Sequence, residues 1–175
     1  MSLGSRVVFS TPWFEVLAKT VPGEEHPYYC LALPDYVSVL ATTPRNELVV
    51  VRQFRPVVET HTLELPSGHV DPGEVPESAA RRELLEETGY EADELETLSV
   101  PLFSDTGRLA NRIWCYRAKN VRRTHHAHTA EAGIETLLLT PHELRQKVKT
   151  GEFIHALHLA LLFLGDFHVE QKANL

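Results

Sequence analysis

Between residues 68 and 90 the chain reads Gly68-His-Val-Asp-Pro-Gly-Glu74-Val-Pro-Glu-Ser-Ala-Ala-Arg-Arg82-Glu83-Leu-Leu-Glu86-Glu87-Thr-Gly89-Tyr90. On a helix, Glu83, Glu86 and Glu87 stand at i, i+3 and i+4 and share one face. Two readings compete. Most glutamate-rich helices present a solvated acidic face. The other reading is a site for an oxygen-preferring divalent cation, Mg²⁺ or Mn²⁺. Three adjacent carboxylates destabilise a helix and raise one another's pKa unless something compensates them. Arg82 precedes Glu86 by four positions and can reach it, while Ala80 and Leu84 give the acidic face an apolar edge. The loop ahead of the helix, with Gly68 and Pro72-Gly73, can bring backbone carbonyls and Glu74 to the same place.

The elements that must hold this segment are legible around it. Apolar or aromatic runs at 13–21, 28–33, 37–41, 48–51 and 60–65 predict strands, separated by Pro22-Gly23, Pro34-Asp35, Pro44-Arg45-Asn46 and Pro66-Ser67-Gly68. The runs at 37–41 and 48–51 pair as a hairpin, with Arg52-Gln53-Phe54-Arg55 leaving its second strand. A helix opens at Pro76, which loses nothing by lacking an amide hydrogen in the first turn, and ends at Gly89. Strands are expected at 95–103, 112–118 and 134–139, with a loop at 104–111, and helices at 141–149 and 154–164. Asp105 and Asn111 read as turn formers in that loop. Strands, helix, strands, helices argue α+β with a mixed sheet rather than regular βαβ alternation.

With 175 residues the chain fits one domain, or one domain with a small extension. Apolar residues at 43% and charged ones at 23% exclude a disordered, collagen-like or coiled-coil chain. Seventeen basic and 24 acidic residues leave a net charge of −7, which argues against a general nucleic-acid binder. Cys30 and Cys115 are too few for a disulfide framework and fit a reducing compartment. Nothing at the start reads as a signal peptide. The most apolar stretch, 156–164, is far shorter than the roughly 20 residues that cross a bilayer. The expectation is a cytoplasmic protein with neither nucleic-acid nor membrane partner.

The 68–90 segment resembles the Nudix box: glycine, five residues, Glu, seven residues, then Arg-Glu-apolar-any-Glu-Glu-any-Gly-apolar. Gly68, Glu74, Arg82, Glu83, Leu84, Glu86, Glu87, Gly89 and Tyr90 meet every constrained position, and this full pattern decides against a merely solvated face. The resemblance implies an α/β/α sandwich around a mixed sheet. The fold expectation is therefore α+β of the Nudix type, with N-terminal antiparallel strands. It also implies Mg²⁺- or Mn²⁺-dependent hydrolysis of a nucleoside diphosphate linked to another moiety.

The flanks Glu64-Leu65-Pro66-Ser67-Gly68 and Val51-Arg52-Gln53-Phe54-Arg55-Pro56 look like the ADP-ribose and ADP-sugar pyrophosphatase branch, where the first more often reads Glu-Leu-Pro-Ala-Gly. Resemblance to that branch implies a metal site of the Ser67 carbonyl with Glu83, Glu86 and Glu87. It implies Glu86, Arg82 and Glu131 as the catalytic set, with Arg82 orienting a box glutamate and Glu131 taking a proton from water on a mobile acidic loop; Glu135 is the rival base. Arg55, Glu64 and Trp13 are the implied substrate contacts, and Trp13 and the Tyr28-Tyr29 pair fall where the branch stacks aromatics on adenine. The run His125-His126-Ala127-His128 reads as a solvated loop, since no cysteine or carboxylate spacing supports zinc.

The implied reaction converts ADP-ribose to AMP and ribose 5-phosphate. Another nucleoside diphosphate sugar such as GDP-mannose, or a dinucleotide, stays open as substrate. A non-catalytic nucleotide-sugar sensor stays open too, although no box glutamate is missing and no DNA-binding segment is appended. The flanks disfavour removal of oxidised nucleoside triphosphates. The expected partners are the small-molecule nucleoside diphosphate sugar and a second copy of the chain. Residues 1–35 are expected to form an N-terminal strand extension, a candidate dimer element by the family resemblance, and 36–175 the hydrolase domain.

Overall fold

The computed structural model describes residues 3–124 and 132–173, with side chains as far as 165. Strands β1 (Ser5–Ser10), β2 (Glu15–Lys19) and β3 (Tyr28–Ala32) form an antiparallel sheet in that order. The sequence reading places no strand before residue 13, so β1 is an addition. All six of its residues are exposed, and without a buried face nothing imposes a readable alternation.

The main sheet starts with β4 (Tyr36–Thr42) and β5 (Leu48–Arg55) and continues with β6 (Thr60–Glu64) and β7 (Ser67–His69). Helix α1 (Pro76–Thr88) follows, then β8 (Tyr90–Glu91), β9 (Glu96–Thr97), β10 (Ile113–Lys119), β11 (Arg122–Arg123) and β12 (Ile134–Leu139). Helices α2 (Pro141–Lys149) and α3 (Ala156–Ala173) close the order. The central path runs β12-β5-β4-β10-β9, with β6 on β5 and β7 on β4, while β8 and β11 pair separately. The β4–β10 pairing is parallel and the others are antiparallel, so the sheet is mixed as expected.

The expected 37–51 hairpin is present only at its closed end. Its strands pair at Thr42 and Leu48 and then part. The chain from β6 to β7 occupies the opening: it pairs with β5 as far as Glu64 and with β4 from Ser67 onward. At the changeover the Val39 N–H donates to the Pro66 carbonyl at 2.9 Å. Pro66-Ser67-Gly68 therefore does not end the strand region, because β7 begins inside it. The stretch 95–103 is strand only at Glu96–Thr97, with an isolated bridge from Leu102 to Ile113. Pro101 has no amide hydrogen to continue a ladder between them.

Alternation on the sheet sorts the core into two layers. Val37, Val39, Ala41 and Val49 pack with Ala79, Ala80 and Leu84 of α1. Leu40, Leu48, Val50, Leu63 and Leu65 pack on the opposite face with Phe153 and Leu161. This is the α/β/α sandwich. Among the described residues, no helix is long and apolar enough to cross a membrane. Cys30 and Cys115 are buried free thiols.

Helix α1 opens on Pro76 without a side-chain cap and ends at Gly89, whose φ of 71° is left-handed and whose N–H donates to the Leu85 carbonyl. Its acidic face is aimed by the burial of Ala79, Ala80 and Leu84, each at 0% exposure. Truncating Leu84 to Ala is expected to cost about 3 kcal/mol of unfolding free energy through the cavity left behind, read as a lower midpoint in urea unfolding.

Candidate active site

The changeover from β6 to β7 sets Glu64 and Ser67 on either side of Leu65 and Pro66. Glu64 is 1% exposed, and its carboxylate accepts from Arg55 through Nε at 2.8 Å and Nη2 at 2.7 Å. Thr62 donates to the same carboxylate at 2.6 Å. Burial alone would raise the Glu64 pKa, but these hydrogen bonds and the neighbouring guanidinium outweigh it and hold the group at about 2. Glu64 is expected as a substrate contact; in the structure its carboxylate is turned onto Arg55 and orients that side chain. Arg55 remains partly exposed at the cleft.

On α1 the carboxylates grade from buried to open: the side chains of Glu83 and Glu86 are 13% and 53% exposed, and Glu87 is 4% exposed. Arg82 answers their repulsion from within the helix. Its Nη1 donates to Glu83 at 2.8 Å and to Glu86 at 3.1 Å, Nε and Nη2 donate to Glu74 at 3.1 and 3.0 Å, and Nη2 also reaches the His69 carbonyl at 3.0 Å. The Glu74 hydrogen bonds are foremost in raising the Arg82 pKa, and Arg82 in turn lowers that of Glu74.

Strand β7 is docked on this face through its backbone. The Ser67 N–H donates to Glu87 at 2.9 Å, and a Cβ at Gly68 would fall on the Glu83 carboxylate. A side chain at Gly68 would have to push the Glu83 carboxylate aside, so the glycine matters for space rather than for an unusual backbone angle. Ser67, Gly68, Glu83, Glu86, Glu87, Arg82 and Arg55 line one open cleft of about 380 Å³. Carboxylates beside a strand backbone are hard oxygen donors, which suit Mg²⁺ or Mn²⁺.

Not every expected residue gathers there. Trp13 is 74% exposed in the link between β1 and β2 and is not among the residues lining the cleft. Glu131 and the run at 125–128 lie outside the described residues. Glu135 pairs with Arg52 at 3.3 Å on β12. Tyr36, Gln53, His69, Asp71 and Ile134 also line the cleft and were not singled out by sequence. Gln53 carried a signal: it stands two positions before Arg55, on the same side of β5. Tyr36 carried none, since its place depends on where β4 meets β7.

Behind the cleft, Glu64, His155 and His158 bring one ligand-type atom each within 4.8 Å of one another. Arg55 and Thr62 already engage Glu64, while the Leu65 N–H and the Ser67 hydroxyl engage both nitrogens of His158. A cation at this point would have to displace Arg55 from its carboxylate. Burial, with His155 alongside, keeps His158 neutral and lowers its pKa to about 3.

Comparison with known proteins identifies the family of the chain. The NUDIX domain family model matches residues 32–161. The chain belongs to the Nudix family. A methanol dehydrogenase activator of Bacillus methanolicus is 34% identical over 118 residues, 66% of this chain and 63% of that protein. An ADP-ribose pyrophosphatase of Bacillus subtilis is 42% identical over 76 residues, 41% of each chain. The Nudix chain thus spans less than two thirds of either relative's length. The crystal structure of an ADP compounds hydrolase superposes with a TM-score of 0.81 at 20% identity, covering 99% of this chain and 95% of that one, and shows the shared Nudix fold.

Two outcomes are expected. Gly68→Ala should displace the Glu83 carboxylate and weaken Mn²⁺ binding about tenfold, measured by titration. Glu64 has a folded pKa of about 2 against an ordinary 4.5, so it stabilises the fold above pH 4.5 and that contribution is lost as pH falls toward 2. Glu64→Gln should cost on the order of 3 kcal/mol at pH 7. The difference from the unsubstituted protein should shrink across that acid window in urea unfolding.

Proposed function

We propose that the chain hydrolyses the pyrophosphate bond of a nucleoside diphosphate sugar, with ADP-ribose giving AMP and ribose 5-phosphate. The observation that carries this reading is the meeting of Glu83, Glu86, Glu87 and the Ser67 backbone with Arg55 in one cleft. An anionic diphosphate is compatible with that cleft when cations offset the carboxylates. The similarity to an ADP-ribose pyrophosphatase supports the choice of substrate.

In this reading Ser67, Glu83, Glu86 and Glu87 hold Mg²⁺ or Mn²⁺, which when bound lowers the pKa of the attacking water and neutralises phosphate charge. The residues of the chain divide the remaining tasks. Arg55 binds a substrate phosphate or the ribose, held in direction by Glu64. Arg82 orients Glu83 and Glu86. Glu131 accepts the proton of the water as the phosphoanhydride bond breaks, with Glu135 as the alternative base.

The chain works in the cytoplasm as a homodimer, built on residues 1–35 beside a hydrolase domain at 36–175. Support for the dimer element comes from Val7, Phe9, Trp13, Tyr28 and Tyr29, which are exposed on or beside the β1–β3 sheet. In a dimer Trp13 would stack on the base across the interface.

A panel of ADP-ribose, ADP-glucose, GDP-mannose and diadenosine compounds, each with Mg²⁺ and with Mn²⁺, tests the proposal by release of AMP or GMP. ADP-ribose is the expected best substrate; binding without turnover would identify a sensor. Glu87→Gln should lower kcat at least about a hundredfold with the fold retained. Glu131→Gln should lower kcat with little change in KM, and an unchanged kcat would move the base to Glu135.

A further inference from the structure

The changeover between β6 and β7 is gripped from the opposite face of the sheet by the last helix. The Leu65 N–H donates to Nδ1 of His158 at 3.1 Å, and the Ser67 Oγ lies 3.2 Å from Nε2. The Ser67 hydroxyl also bonds the Leu65 carbonyl and the Ser38 hydroxyl, each at 2.8 Å. Donor and acceptor chemistry settles the directions. An amide can only donate, so Nδ1 accepts; Nε2 of the neutral ring then carries the proton and donates to Ser67. The Leu65 carbonyl can only accept, so Ser67 donates to it. The bonds close a circuit from the Leu65 amide through His158 and Ser67 back to the Leu65 carbonyl. Every member is buried: His158, Leu65 and Ser38 at 0% exposure and Ser67 at 6%. His155 stacks on the ring at 3.9 Å and 14°, which fixes its plane.

This circuit lies directly behind the groups assigned to the cation. The Ser67 amide that follows it donates to Glu87, and Gly68 lies against the Glu83 carboxylate. We infer that His158 is a positioning residue for the cation site, clamping the crossover at Leu65 and Ser67 so that β7 stays seated on Glu83 and Glu87. The inference rests on the proposed reading of those residues as cation ligands; His158 itself touches neither cation nor substrate. A histidine suits the task because one rigid ring offers an acceptor and a donor on opposite edges, whereas Asn or Gln keeps one of the two in place.

The test compares H158F, H158N, H158Q and the core control L161A for Mn²⁺ affinity by water-proton relaxation, amide exchange at residues 65–68 and thermal midpoint. H158F should weaken Mn²⁺ binding about tenfold and speed exchange of the Leu65 amide, while H158N and H158Q recover part of the affinity. L161A, which only opens the core, should lower the midpoint with Mn²⁺ affinity unchanged. Should H158F fail to fold, the Asn and Gln variants decide: Mn²⁺ affinity and exchange equal to those of the unsubstituted protein overturn the inference. Lower thermal stability with unchanged Mn²⁺ affinity also overturns it, since that is a purely structural role. An unsubstituted protein that takes up no Mn²⁺ removes the cation site and this inference with it. One that binds Mn²⁺ and responds to His158 as expected, yet leaves ADP-ribose intact, overturns the substrate reading alone.

Discussion

Like charges crowded onto a turn and a half of helix repel one another, and Arg82 sets how this protein contains that repulsion. Its guanidinium bonds Glu74 from the preceding loop together with Glu83 and Glu86 from the helix. Glu87, the most buried of the helix carboxylates, is met instead by the Ser67 amide. The helix face is therefore built as one unit with the loop before it and the strand beneath it. Charge-assisted hydrogen bonds of this kind are short and directional, so they set geometry as well as offsetting charge.

That unit needs a support that does not shift, and the splaying of β4 from β5 supplies it. The two strands pair at Thr42 and Leu48 and then admit the 60–69 segment between them. Both sides of the opening contribute to the cleft: Arg55 and Gln53 come from β5, Tyr36 from β4, and Ser67 and Gly68 from the inserted segment. Backbone groups at such a changeover cannot all be met by one ladder, and a buried amide without a partner is costly. Here the Pro66 carbonyl is met by Val39, the Leu65 amide by His158 and the Leu63 amide by the Glu152 carbonyl. Residues far apart in sequence thus complete the hydrogen bonding of the segment that carries the site.

The Arg55–Glu64 pair shows the same economy. Removing a carboxylate from water is unfavourable by itself, and the pairing holds because a planar guanidinium meets both oxygens with Thr62 completing the shell. The pair stands where substrate phosphate is proposed to bind, so the arginine is presented in one orientation before any ligand arrives. Less side-chain freedom then remains to be lost on binding.

Local rules made α1 readable from sequence alone, since a helix periodicity places Glu83, Glu86 and Glu87 together and Pro76 and Gly89 bound it. The same holds for the apolar runs that become β4 and β5 and for the reach from Arg82 to Glu86, because each depends on residues close in the chain. The fully exposed β1 and the short β7 that begins inside Pro66-Ser67-Gly68 left no such trace. What tertiary structure alone decided is the pairing across distance. Glu64 turns to Arg55 rather than to the cleft, Gly68 is small because Glu83 lies against it, and His158 reaches Leu65 from ninety-three residues away. Periodicity records which face of an element is buried, but it does not record which polar group on another element will meet it there.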